Sequence, residues 1–257
     1  MEKMTLKYQA EGVVLRAKDA GSADRAFTLF TREYGKITVM AYGVRNSKKR
    51  QSGALQPFAH LDFFISKSKG ADTAEQWALK TSFQKLREDL KMMAYASFLS
   101  ELVSELWPER DADSRVFDLI LKVFYLMSGR NPRIAALAGA LKLISFAGFE
   151  PDYYICVQCG QDIISGSYFD HLSGGAVCHS CTGEMTARNN LAELTEEMRG
   201  CIFLMESVFS DTVPEFAINA KTLTQTENLI LNYINIHLDL GRELKSLSFI
   251  REVNSLS

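Results

Sequence analysis

The sequence predicts an α+β, multidomain protein. A five-stranded OB-type β-barrel comes first, followed by an all-α helical domain with an inserted four-cysteine zinc ribbon or knuckle. Three observations carry that reading. Short runs up to about residue 81 alternate with period two, the chain from Leu86 onward repeats with helical period, and four of the five cysteines form two Cys-x2-Cys pairs. The expected domains are 1–81 for nucleic-acid binding and 82–257 for the helical part, with 151–185 as the zinc-binding insertion.

The first strand is expected over 8–17, where Gly12-Val-Val-Leu-Arg16 enters a core. A hairpin over 26–43 supplies two more. Phe27, Leu29 and Thr31 fall on one face, Thr28, Phe30 and Arg32 on the other, and Ile37, Val39 and Ala41 alternate after the Glu33-Tyr-Gly35 turn. His60–Ile65 reads as a fourth strand and Ala74–Leu79 as a fifth. Five short strands with a loop excursion between the third and fourth fit an OB-type barrel. Strand count alone leaves an SH3-like barrel open. No helix-length pattern separates the strands, which argues against a βαβ domain.

Helical stripes then follow. Phe98, Leu99, Leu102, Val103, Leu106 and Trp107 end at Pro108, and Val116 to Met127 stops at Ser128-Gly129. Pro132 opens a third stripe that runs to Gly148. Two more are expected near Thr195–Phe209 and Thr224–Leu240, the latter opened by the capping box Thr224-Gln-Thr-Glu227 and closed by Gly241. The most apolar stretches, Val116–Met127 and Ile134–Phe149, are broken by Asp118, Lys122 and Lys142, so both read as buried helices and no membrane span is expected. Residues 1–12 hold no apolar run of the signal-peptide kind, and a cytoplasmic location is expected.

Charge is unevenly placed. The chain has 29 Lys+Arg and 31 Asp+Glu, but residues 1–80 hold 14 basic and 8 acidic residues, leaving 15 and 23 for the rest. Four cations fall in the six residues Arg45-Asn-Ser-Lys-Lys-Arg50, with no anion. A basic loop between barrel strands suits a phosphate backbone. Candidate DNA contacts are Arg45, Lys48, Lys49 and Arg50, with Arg25, Arg32 and Lys36 as additions. An internal ion pair with Asp24 or Glu33 is the competing use of Arg25 and Arg32. Tyr34 and Tyr42 either stack on bases or fill the barrel, and the sequence leaves both uses open.

Cys156-x2-Cys159 and Cys178-x2-Cys181 are separated by 18 residues. Two thiolates reach one ion from each tight turn, and together they complete a tetrahedron, so one structural Zn2+ is expected. The intervening Ile163–Asp170 and Ala176–Val177 suit a small hairpin. Four sulfurs leave no position for an activated water. His171 and His179 lie nearby but are not needed as ligands. Cys201 falls in an apolar helical pattern and reads as core, as does His237 beside Tyr233 and Ile234. No Walker-type phosphate loop, nucleophile elbow or His-Glu-x-x-His occurs, so catalysis is not expected.

The run Ala23-Asp24-Arg25, Leu29-Phe-Thr-Arg-Glu-Tyr-Gly-Lys36, Gly43-Val-Arg45 and Gly53-Ala-Leu-Gln-Pro-Phe58 resembles the bacterial recombinational repair family RecO. So does the tail, with Tyr233, His237 and Leu244-Lys-Ser-Leu247. The four cysteines resemble its zinc-bearing branch. The resemblance implies a non-catalytic mediator that binds single- and double-stranded DNA and anneals complementary strands. With RecR, and sometimes RecF, it helps load RecA onto strands coated by the single-stranded-DNA-binding protein, SSB, and it is nucleoid-associated during repair. It also implies contact with the acidic, apolar-ended tail of SSB, for which Arg130 and Arg133 are possible rim residues. Two rival readings are a zinc-dependent nucleic-acid enzyme, which needs an open coordination position, and an RNA-binding or regulatory OB-fold protein.

Overall fold

The computed structural model describes residues 6–44, 52–164, 166–183, 190–210, 218–237 and 243–255. Five strands come first: β1 (Lys7–Ala20), β2 (Asp24–Thr31), β3 (Gly35–Ala41), β4 (His60–Ser66) and β5 (Asp72–Thr81). They close into a barrel in the order β1-β2-β3-β5-β4. The closing pair β3–β5 is parallel, through Val39 opposite Asp72 and Met40 opposite Thr73, while the other pairs are antiparallel. That order and that one parallel pair give the OB-type topology and separate it from an SH3-like barrel.

One strand serves both edges of the closure. The first half of β1 pairs with β4 and its second half with β2, and a register shift between Val14 and Arg16 bends it between the two. Alternation then decides what faces inward. Val14, Phe27, Leu29, Ile37, Val39 and Leu61 fill the barrel and are essentially inaccessible.

Phe30 points the other way and is also fully buried. It meets Trp107 edge to face, with ring centroids 6.4 Å apart. Trp107 ends α2 (Leu90–Leu106), which follows the single turn α1 (Lys85–Glu88) and is capped by Asp89 accepting from the Met92 N–H. Next comes α3 (Ser114–Gly129), capped by Asp113. Phe124 of α3 receives Phe58 and Phe83 edge to face, and both carry positive φ, at 70° and 44°. Such backbone costs about 1–3 kcal/mol and persists because packing fixes it. These helices therefore belong to the barrel's unit, which spans Met1–Ala136 and Ser248–Ser257. The last helix, α8 (Lys245–Ser255), supplies the returning part, where the Asn254 amide donates to the Tyr95 hydroxyl at 3.2 Å.

The second compact unit is Leu137–Leu247. It takes in most of α4 (Pro132–Phe146), a sheet in the order β7-β6-β8, the single turn α5 (His179–Thr182), α6 (Glu196–Ser207) and α7 (Ala220–His237). The expected hairpin is β6 (Ser167–Asp170) with β7 (Gly175–Cys178), and β8 (Leu191–Leu194) adds a strand the sequence did not suggest. Thr195 caps α6 by accepting from the Met198 N–H. The expected capping box of α7 is corrected. The helix starts four residues earlier, with Asn219 accepting from the Thr222 N–H, while Thr224 donates to the Ala220 carbonyl and Glu227 is buried. The expected end at Leu240 and Gly241 lies outside the described residues. Cys201 is buried in α6 as expected, and His237 bonds the His171 carbonyl through Nε2. Among the described residues no helix is long and apolar enough to cross a membrane.

The barrel is fixed to the segment between α2 and α3 by backbone. The Arg110 N–H donates to the Lys36 carbonyl at 2.8 Å, and Lys36 and Glu109 form a parallel bridge. At Gly35, with φ +61°, an added Cβ would stand 2.0 Å from the Asp111 carbonyl oxygen. Only glycine fits there. Gly35→Ala is therefore expected to destabilise the protein by about 2–4 kcal/mol in urea unfolding, summing strain and overpacking. Gly43→Ala, where φ is +68° with open space around the site, is expected to cost only about 1 kcal/mol.

Candidate nucleic-acid interface and metal centre

The strand register makes a polar outer surface across β1, β2 and β3. Arg16, Thr28 and Thr38 form one cross-strand row, and Lys18, Ala26 and Met40 form the next. Arg16 and Lys18 are exposed, with no ion-pair partner among the described residues. The adjoining row, Phe30 opposite Lys36, lies under α2. The helices thus cover one end of this face and leave the other open. Tyr42, just beyond β3, is 63% exposed, whereas Tyr34 packs edge to face on Tyr8 at 4.7 Å against the barrel core. Arg16 and Lys18 were legible as two cations at i and i+2 of a strand, a signal that counting charge in loops overlooks.

The other cations have specific surroundings. Arg25 pairs across the β1–β2 hairpin with Asp19 at 2.8 Å, not with Asp24 or Glu33. Both partners are substantially exposed, and such a pair contributes about 0–1 kcal/mol, so it yields readily to a phosphate. Arg32 also avoids the expected acids. Its Nε donates to Glu11 at 2.9 Å and its Nη2 to Asp118 at 2.7 Å, while the guanidinium lies 4.5 Å from the Phe117 ring centre. The Lys36 ammonium donates to the Ser104 carbonyl. Arg32 and Lys36 thus sit on the seam between barrel and helices. Glu11 also receives Lys80 and His60. Burial raises its pKa, but the donors from Lys80, Arg32 and His60 outweigh that and bring it down to about 2. Arg45, Lys48, Lys49 and Arg50 lie outside the described residues. Arg130 caps α3 through its N–H to the Leu126 carbonyl, and the Arg133 N–H donates to Asn131 Oδ1.

The cysteine site is built by two approaches of backbone. In the first knuckle the Gly160 N–H closes on the Cys156 carbonyl at 2.8 Å, with Gly160 at φ +72°. The Val157 N–H donates to the Ala176 carbonyl, pinning this knuckle to β7. Gly175 permits that contact, since a Cβ there would lie 2.2 Å from the Val157 side chain. β7 ends on Cys178, and α5 brings Cys181 round one turn later.

The four sulfurs, of Cys156, Cys159, Cys178 and Cys181, all lie within 4.8 Å of one another, and no histidine joins them among the described residues. None of the five cysteines is in a disulfide. Cys159 and Cys178 have sulfurs 3.8 Å apart. A tetrahedron of thiolates at about 2.3 Å from a central ion has edges of about 3.8 Å, so the spacing fits a bound metal. The electrostatics fit as well. Burial raises the Cys156 thiol, but N–H donors from Cys178, Cys159 and Gln158 outweigh it and lower the pKa to about 6. Hydrogen bonding with Cys178 and Cys159 pushes Cys181 up to about 12. Converging sulfurs resist ionising together, and a divalent cation removes that conflict. His171, in the turn after β6, is buried and His179 is exposed, and neither joins the four sulfurs.

Comparison with known proteins agrees with both halves of the chain. Residues 4–83 match the family model described as Recombination protein O N terminal, and residues 87–248 match Recombination protein O C terminal. The chain is similar to the DNA repair protein RecO of Pelotomaculum thermopropionicum, 31% identical over 95% of this chain and 93% of the relative. RecO of Bacillus velezensis is 31% identical over 96% and 95%, and that of Myxococcus xanthus 32% over 96% and 98%.

If the four sulfurs hold a metal, the purified protein should contain one divalent ion per chain. Chelation, or Cys178→Ser, is then expected to release it and to speed amide exchange in β6 and β7. Barrel amides should keep their protection.

Proposed function

The chain belongs to the recombination protein O family of DNA repair proteins, and from that premise we propose that it is a recombination mediator that works on DNA without chemical turnover. In this reading it binds single- and double-stranded DNA, anneals complementary strands, and with RecR, in some settings with RecF, helps load RecA onto SSB-coated strands in the bacterial cytoplasm. The observation that carries the reading is the open, basic half of the β1–β2–β3 face, continuous in sequence with the cationic run after β3.

Arg16, Lys18 and Arg25 supply charge from the strands, and Arg45, Lys48, Lys49 and Arg50 supply it from the loop. Neutralising phosphates releases counterions, so the affinity is independent of sequence and sensitive to salt. Arg32 and Lys36 add field from the seam while holding the helices. Tyr42, exposed at the end of β3, offers an aromatic face to an unpaired base. We assign zinc to the four cysteines. Four thiolates close its coordination sphere, which gives the ion a structural part and leaves no position for an activated water. That argues for a mediator over a zinc-dependent enzyme. The SSB tail, acidic with an apolar end, needs a cationic rim, and Arg130 and Arg133 remain the proposed rim residues.

Changing Lys48, Lys49 and Arg50 together to alanine is expected to weaken DNA binding and to make the salt slope shallower by about two to three units. An unchanged slope would reduce the loop to a solvated linker. Tyr42→Ala is expected to cost about 1–3 kcal/mol on single strands and little on duplex, measured by anisotropy. The mediator reading itself is tested by annealing SSB-coated complementary strands with and without the protein. No acceleration would remove it.

A further inference from the structure

The four sulfurs differ in what can reach them. Cys156 is 1% exposed, and the Cys178 N–H donates to its sulfur at 3.4 Å, so that sulfur is held from within the site. Cys178 and Cys181 are half-buried, and Cys159 alone of the four is exposed. A metal-bound cysteine is a thiolate, and the thiolate is the form that oxidants attack. Among four thiolates, exposure then selects the one that reacts first.

A partner for an oxidised Cys159 stands across the site. Its sulfur lies 3.8 Å from that of Cys178, which belongs to the other knuckle. The two are near contact, the arrangement of an attacking and a resolving cysteine. Backbone aligns the two segments independently of the sulfurs. The Val157 N–H donates to the Ala176 carbonyl at 2.9 Å, the Ala176 N–H to the Asp152 carbonyl at 2.7 Å, and the Asp152 N–H to the Gly174 carbonyl at 3.0 Å. A bond between Cys159 and Cys178 would therefore join two pieces of chain that already lie side by side.

We propose that the cysteine site is a peroxide-reactive centre, in which Cys159 is oxidised first and bridges to Cys178, giving up the metal while the two knuckles stay joined. The inference rests on the assignment of zinc to these four cysteines. The Cys159 thiolate attacks one oxygen of hydrogen peroxide, breaking the O–O bond and leaving a sulfenic acid and hydroxide. The Cys178 thiolate then displaces hydroxide from that sulfur and forms the S–S bond. The two sulfurs lose two electrons, the peroxide gains them, and two protons from solvent turn both hydroxides into water. Only Cys156 and Cys181 are left as ligands, too few for a closed tetrahedral site. The bridge spans the knuckles as the ion did, so β7 keeps its contact with residues 152–157. A thiol reductant with added zinc restores the starting state.

The test treats the full-length, metal-loaded protein with hydrogen peroxide, follows zinc release with a chromogenic chelator and maps bridges by mass spectrometry. Chymotryptic cleavage after Tyr168 and Phe169 separates the two knuckles, so a bridge between them is read directly. Zinc is expected to leave in step with a Cys159–Cys178 bridge. Amides of β6 and β7 should stay slow to exchange in this oxidised form, although chelation of the reduced protein speeds them. Cys159→His, which leaves three cysteines and a histidine as ligands, is expected to slow release about ten-fold. Cys181→His, which leaves the reacting pair intact, should release at about the wild-type rate. A bridge confined to one knuckle, release without a bridge, retention of zinc under peroxide, or equal slowing by the two substitutions would each overturn the proposal. Protein that carries no metal before peroxide would remove the zinc assignment. In that case, or if either substituted chain fails to hold zinc, the bridge mapped in the wild type decides.

Discussion

The first unit depends on the backbone between α2 and α3 lying flat against β3. That approach is allowed by the missing side chain at Gly35 and locked by Arg110, whose φ of +62° turns its side chain across the barrel end. There its guanidinium meets Asp72 at 2.7 Å, and Tyr8 and the Ser68 N–H donate to the same carboxylate. Asp72 is the first residue of β5, the strand that closes the barrel against β3. Burial works against the charged form of Asp72, but its three donors prevail and hold its pKa below the ordinary value. The contact therefore stabilises the fold above the ordinary carboxylate range and is lost as pH falls through the lowered value. Closure of the barrel and attachment of the helices are one event, since both run through this carboxylate.

That attachment sorts the basic residues into two kinds. Cations near the seam, Arg32 and Lys36, are held by Glu11, Asp118 and the Ser104 carbonyl. Those on the open rows, Arg16 and Lys18, face water. Both groups belong to the β1–β2–β3 sheet, and the position of α2 and α3 separates them. A protein of formal charge −2 can thus present a cationic surface because 23 of its 31 acids fall after residue 80 and Glu11 is bound in the seam. In the second unit the cysteine knuckles do comparable work, drawing residues 156–181 together around the buried Phe169, Ala176 and Val177.

Much of this was legible from the residues. Period-two runs located all five barrel strands, and the cysteine spacing located the candidate metal centre, because both signals are local. Five short strands with an excursion after the third pointed to the OB type, but excluding an SH3-like barrel was not legible, since it rests on the parallel β3–β5 pair, which joins residues more than thirty apart. Phe30 could not be read as buried, because alternation assigns it to solvent and it is Trp107, at the end of α2, that packs on it. The partners of Arg32 escaped for the same reason, as sequence neighbours such as Glu33 look nearer than Asp118. The start of α7 was misplaced because Thr224-Gln-Thr-Glu227 imitates a cap, whereas Asn219 supplies the real one. Strand β8 is four residues with no alternation to notice.

The second unit is an insertion within the first: the chain leaves at α4 and returns at α8. Translation runs in one direction, so a nascent chain emerging from the ribosome carries the whole of the second unit before Ser248 appears. The barrel's helical partner surface at Tyr95 must wait for Asn254, 159 residues further along the chain. A domain whose segments lie this far apart keeps its unfinished faces exposed while the intervening residues are made, and chaperones meet them there.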